Sequence, residues 1–188
     1  MSGSVFLDEE SSQFVQQIEG TPMSEVHHGP PTPGPEHALL KPFEGRFRAT
    51  VTLWMGPGEP MVQTGLMLNV FQLSGLFLFQ DYVGDPSTGP WPAFEGKGFW
   101  GYNTTTKEFE GVWLDNASTI MQMEKGSVDS TGKVWTMIST FVSPYTGQLT
   151  SRRNVIRLID GDHNDMTTWM AGPDGQEFKA MHIAFVRV

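Results

Sequence analysis

Gly45-Arg46-Phe47-Arg48-Ala49-Thr50-Val51-Thr52-Leu53 decides the fold. Phe47, Ala49, Val51 and Leu53 alternate with Arg46, Arg48, Thr50 and Thr52, so one side of the segment is apolar and the other polar. Successive side chains point to opposite sides only in an extended chain, so this segment is a strand with one buried face. Similar runs follow at about 61–73, 75–83, 94–103, 107–115, 118–128, 133–142, 148–159, 164–170 and 176–187. Between them stand turn-forming clusters such as Asp129-Ser130-Thr131-Gly132 and Asp160-Gly161-Asp162-His163. About ten strands on short loops read as an antiparallel meander. A flat sheet of that size exposes two long edges, which closure into a barrel removes. Trp54-Met55-Gly56-Pro57 and Trp169-Met170-Ala171-Gly172-Pro173 look alike and read as two similar hairpins at one end of the barrel.

The composition agrees. The chain has 188 residues, 38% apolar and 18% charged, with 21 Gly and 13 Pro, which suits short strands and turns better than a helical bundle. The net charge of −9 repels a phosphate backbone and argues against nucleic acid as a partner. No segment approaches the roughly 20 apolar residues of a membrane span. The start, Met1-Ser2-Gly3-Ser4-Val5-Phe6-Leu7-Asp8-Glu9-Glu10, lacks the basic and apolar regions of a secretory signal, so a cytoplasmic location is expected. Without cysteine there are no disulfides, thiolate metal sites or cysteine nucleophile.

The first 35 residues differ from the rest. Residues 8–19 read as a short amphipathic helix with Phe14, Val15 and Ile18 on one side. His27-His28-Gly29-Pro30-Pro31-Thr32-Pro33-Gly34-Pro35 reads as a linker, so 1–35 is expected to be a flexible Pro-rich arm and 36–188 a single barrel domain. Residues 36–43 suit one or two helical turns that bury Leu39, Leu40 and Phe43 and plug or flank the barrel.

Several segments resemble, in order, those of the bacterial DUF1579 family. They are Pro35-Glu36-His37-Ala38-Leu39-Leu40, Trp54-Met55-Gly56-Pro57-Gly58, Gln80-Asp81-Tyr82-Val83-Gly84 and Gly98-Phe99-Trp100-Gly101-Tyr102-Asn103. Trp113-Leu114-Asp115-Asn116, Arg157-Leu158-Ile159-Asp160 and Gly172-Pro173-Asp174-Gly175-Gln176-Glu177-Phe178-Lys179 complete the set, so the resemblance covers about 35–188. It implies a calycin-like barrel, related in shape to lipocalins, fatty-acid-binding proteins and nitrobindins, with no established activity. This chain carries His182 where relatives typically have Glu, and lacks the export signal that precedes many of them.

Strand parity selects the residues that face the interior. Glu108 and Glu110 mark one face of the fifth strand as solvated, which turns Phe109, Gly111, Trp113 and Asp115 inward. The same reasoning places Gly96, Gly98, Trp100 and Tyr102 inward, with Leu78, Gln80 and Tyr82 sharing a face of the third strand. In the last strand Lys179 and Arg187 are taken as outward, so Phe178, Ala180, His182 and Ala184 are expected inside. Arg152 and Arg153 leave the eighth strand undecided by polarity. The small residues Gly96, Gly98, Gly111, Ala180 and Ala184 suggest room for a cavity. The pocket candidates are Gln80, Tyr82, Trp100, Tyr102, Trp113, Asp115, Met137, Phe141, Arg153 and His182, an aromatic wall with a few polar groups. The competing reading is a filled core in which Asp115 pairs with Arg153 or a backbone amide.

His182 stays open among a hydrogen-bonded interior histidine, an acid–base partner of Asp115, and an axial haem ligand of the kind found in nitrobindin-like barrels. No cofactor is expected, haem included. His27, His28 and His37 lack the carboxylate spacing of a metal site, and Asp160–Asp165 reads as an acidic hairpin rather than a calcium loop. Met121, Met123 and Met137 read as core filler. The expected function is a carrier or sensor of a small apolar or amphipathic molecule. The alternatives are a cyclase- or isomerase-type enzyme using Asp115 and His182, or an interaction protein with a filled barrel; the oligomeric state is not readable.

Overall fold

Each alternating run is a strand in the computed structural model, which describes residues 29–56, 58–86, 92–143, 146–172 and 175–188. The strands are β1 (Gly45–Leu53), β2 (Met61–Gln72), β3 (Phe77–Gly84), β4 (Glu95–Asn103) and β5 (Glu108–Asp115). They continue as β6 (Gln122–Val128), β7 (Val134–Val142), β8 (Leu149–Leu158), β9 (His163–Ala171) and β10 (Glu177–Arg187). Every strand pairs antiparallel with its sequence neighbours, and β1 pairs with β10 to close the barrel. Closure satisfies both edges of the sheet, as the length of the meander demands. No helix among the described residues is long and apolar enough to cross a membrane. The expected helix at 8–19 and most of the expected arm lie outside the described residues.

Two short helical turns cap one end. Helix α1 (Pro35–Ala38) is followed by a 3-10 turn over Lys41–Phe43. Pro42 has no amide proton to continue the ladder from α1, so the expected helix over 36–43 breaks into two pieces. His37, Leu40 and Phe43 are buried, Leu40 and Phe43 against Leu78, Trp100, Phe109, Trp135 and Met137. The Nδ1 atom of His37 accepts the Gly34 amide at 3.0 Å. Arg187 holds the plug, donating from Nη1 to the Glu44 carbonyl and from Nη2 to the Pro42 carbonyl, each at 2.7 Å.

The other end carries the loops that join β1 to β2 and β9 to β10, so the two Trp-Met segments do lie at the same end. A second apolar cluster occupies that half, with Phe47, Ala49, Val51, Met67 and Tyr82 at its centre. The interior is thus an aromatic floor under the plug, with a looser upper half above it.

Candidate functional site

A cavity of about 330 Å³ lies between the aromatic floor and the loop end. Its two sides differ in chemistry. Phe47, Val51, Met67, Met181, Ile183 and Phe185 form an apolar wall from β1, β2 and β10, while Asp115, Gln122, Glu124, Arg152, Asn154 and Thr168 form a polar wall from β5, β6, β8 and β9. Each set follows from strand alternation: Gln122 and Glu124 on β6, and Arg152, Asn154 and Ile156 on β8, are two residues apart and share the inner face.

The polar wall is a connected network. Near the loop end, Asp115 Oδ1 accepts the Ala117 amide at 3.0 Å, and its Oδ2 accepts the Gln122 side-chain amide at 3.1 Å. The carbonyl oxygen of Gln122 in turn accepts Nη1 of Arg152. One layer deeper, Thr168 donates to Asn154 Oδ1 at 2.8 Å, and Asn154 Nδ2 donates to Glu124 at 2.6 Å. Among the described residues, three buried polar atoms on cavity-lining residues have no partner: Nε of Arg152, Nε1 of Trp100 and Oδ1 of Asn69. Unpaired buried donors and acceptors are costly and uncommon, and each calls for an explanation.

Burial pushes the Glu124 carboxyl above its ordinary range, against the opposing effects of the Asn154 hydrogen bond and the Arg152 charge. Burial likewise lowers Arg152 below its usual value, with the charges of Glu124 and Asp115 opposing. The Glu124 shift makes folding depend on pH. Below its ordinary value of 4.5 the carboxyl is neutral in both states and adds no penalty. As pH rises past that value the unfolded chain ionises first, so stability falls until the folded pKa is passed. Glu124→Gln should remove this slope. Denaturation midpoints taken across pH 4–8 should show the parent losing stability relative to the variant as pH rises; a constant difference would remove the shift from the account.

The candidate residues divide into three groups. Gln80, Tyr82, Trp100, Trp113 and Asp115 border the cavity as parity requires. Tyr102 and Met137 point inward but belong to the floor: Tyr102 packs edge-on to Phe109 at 5.1 Å, and Met137 is fully enclosed. Phe141 faces inward without bordering the cavity, and the Arg152 guanidinium lies 6.0 Å from its ring centre.

Arg153 and His182 lie elsewhere. Arg153 is on the outer surface, where its Nε donates to Glu177 at 3.0 Å; its neighbour Arg152 is the interior arginine. His182 is also on the outer face, with Nδ1 3.1 Å from the Thr167 hydroxyl. The cause is a β-bulge: Lys179 pairs with Trp169 but Met181 pairs with Thr168, so one extra residue, Ala180, enters β10 and reverses its parity. Met181, Ile183 and Phe185 therefore line the cavity instead of His182 and Ala184. His182 can neither form an acid–base pair with Asp115 nor ligate a haem inside the barrel. Burial lowers its pKa, with Asp165 opposing.

The glycines have a different role from the one expected. A side chain at Gly96 or Gly98 would strike the Trp113 ring, and one at Gly111 would crowd Glu124 at 3.2 Å. These glycines seat cavity-lining side chains instead of opening space themselves. Met121 and Met123 are 64% and 60% exposed rather than core. Met121 precedes β6, and Met123 takes its outer face. Glu124 was missed although a signal existed: Gly126 and Val128 share its parity, with Lys125 and Ser127 opposite. The acidic Asp160–His163 segment is a turn in which Asp160 Oδ1 accepts the amides of Asp162 and His163, both at 2.8 Å. His27 and His28 lie outside the described residues.

A crystal structure of Rv2717c from M. tuberculosis is similar in fold, with a TM-score of 0.61 at 14% identity, covering 82% of this chain and 98% of that one. No curated protein matches the sequence. The family described as "Protein of unknown function (DUF1579)" matches residues 32–187, nearly the whole barrel with its plug. The chain belongs to the DUF1579 family.

Proposed function

We propose that this protein binds or carries a small, largely apolar molecule inside its barrel, with the polar wall fixing the orientation of the occupant. The cavity of about 330 Å³ carries the reading. It falls in the range of roughly 300–1,000 Å³ typical of small-molecule sites, and it joins apolar walls to a few convergent polar groups. Protein interiors are otherwise packed to crystal-like density, so an interior of this size argues for a ligand site over a filled structural core. The acid–base enzyme reading loses its support, because its histidine is outside.

The test uses 1-decanol, an apolar chain with one weak polar end. Titration should produce a saturable change in tryptophan emission at one molecule per chain, since Trp113 and Trp100 border the cavity. Trp113→Phe should remove most of the change. An emission that does not respond, or that drifts without saturating, contradicts the proposal.

A further inference from the structure

We propose that Arg152 is the seat of a carboxylate, so that the occupant of the barrel is an amphipathic acid rather than a neutral apolar molecule. The inference rests on the ligand-binding reading above and specifies its chemical class.

Arg152, Asp115 and Glu124 are the Arg, Asp and Glu side chains among the described cavity-lining residues, and Arg152 supplies the positive charge. Arg152 is half-buried, and a guanidinium drawn partly out of water normally sits on a carboxylate, because desolvation without a partner is costly. Here it does not. Its one hydrogen bond among the described residues goes from Nη1 to the neutral amide of Gln122, and its Nε is buried with no partner.

Gln122 causes this arrangement. Its carbonyl takes Arg152 while its amino group gives to Asp115, so the Asp115 carboxylate is held one side chain away from the guanidinium. Glu124 is committed to Asn154. The guanidinium is thus left without an internal acid, and a guanidinium is the group that holds a carboxylate with two parallel hydrogen bonds.

The surroundings define the rest of the ligand. Arg152 pairs across the sheet with Ser139 and Met170, near the loop end of β8. An acid seated there has the apolar wall of Phe47, Val51, Met67, Ile183 and Phe185 for its body.

Decanoic acid and 1-decanol share a chain and differ at the head, and calorimetric titration at pH 7.5 compares them directly. The acid should bind roughly tenfold tighter or more, as expected for charge-assisted hydrogen bonds. Arg152→Gln should abolish that preference, so that the variant binds the acid and the alcohol alike. Arg152→Lys, which keeps the charge and loses the fork, should fall between them; it also provides a reading if the glutamine variant melts early.

Equal binding of acid and alcohol by the parent overturns the carboxylate seat and leaves the cavity reading standing. Equal weakening of both ligands in Arg152→Gln has the same meaning. Failure of the parent to bind either compound overturns both proposals.

Discussion

Trp135→Ala should cost about 3–5 kcal/mol of stability, the usual range for removing a large aromatic side chain from a packed core. Trp135 has no exposed surface, and its ring meets Phe43 at 5.1 Å, Trp100 at 5.6 Å and Phe109 at 6.1 Å between centroids. It therefore joins the plug to β4, β5 and β7, and its loss opens a void that three rigid rings fill poorly. One effect works the other way. The Trp135 Nε1 is buried without a partner among the described residues, so removing it relieves a desolvation penalty. Trp135→Phe separates the two, because it keeps a ring and deletes the N–H; it should cost less than half as much as the alanine variant. Urea denaturation of both variants provides the comparison. A loss below about 1 kcal/mol for Trp135→Ala would mean that the floor is not the packed layer described here.

Gly126→Ala should destabilise by about 3 kcal/mol, at the upper end of ordinary overpacking. The added methyl would overlap the carbonyl of Thr136 and lie 2.9 Å from the Met137 Cα, and both groups belong to the β7 backbone. A paired strand moves only by disturbing its ladder, and Gly126 is opposite Met137 in that ladder. Gly96→Ala is the control. Its methyl meets the Trp113 ring, a side chain that can swing toward the cavity, so its stability cost should be nearer 1 kcal/mol. It should also narrow the cavity and weaken 1-decanol binding, which Gly126→Ala should affect much less. Equal costs for the two glycines would contradict the distinction between a backbone wall and a movable ring.

Much of this architecture was legible in the sequence, because strands announce themselves by a period of two and turns by their own chemistry. Phe47, Ala49 and Val51 alternate inward as read, and the barrel closes through β1 and β10. Parity also placed Gln80, Tyr82, Trp100, Trp113 and Asp115 correctly. It failed in β10, where Lys179 is outward as assumed, but the bulge at Ala180 reverses every residue after it. A bulge depends on cross-strand register, and Lys179-Ala180-Met181 shows nothing unusual when read along one strand. It failed differently in β6. Methionine suggested core, yet Met123 is exposed and its neighbour Glu124 is inside, bonded to Asn154 on β8. Such pairing joins residues thirty positions apart, so local alternation marks the face that Glu124 takes but not its partner. Arg152 and Arg153 posed the same problem, since the choice between them was made by Glu177 and Gln122 on other strands.

The central claim is that a ligand enters the barrel, and the methionine methyl groups test it where it would bind. Met67, Met166 and Met181 line the cavity, whereas Met55, Met121 and Met123 are more than half exposed. Proton–carbon spectra of the methyl-labelled protein, recorded as decanoic acid is added, distinguish the two sets. The account predicts saturable shifts of the Met67, Met166 and Met181 signals, with Met55, Met121 and Met123 nearly unchanged. Shifts confined to Met55, Met121 and Met123, or no saturable shift at all, would contradict it.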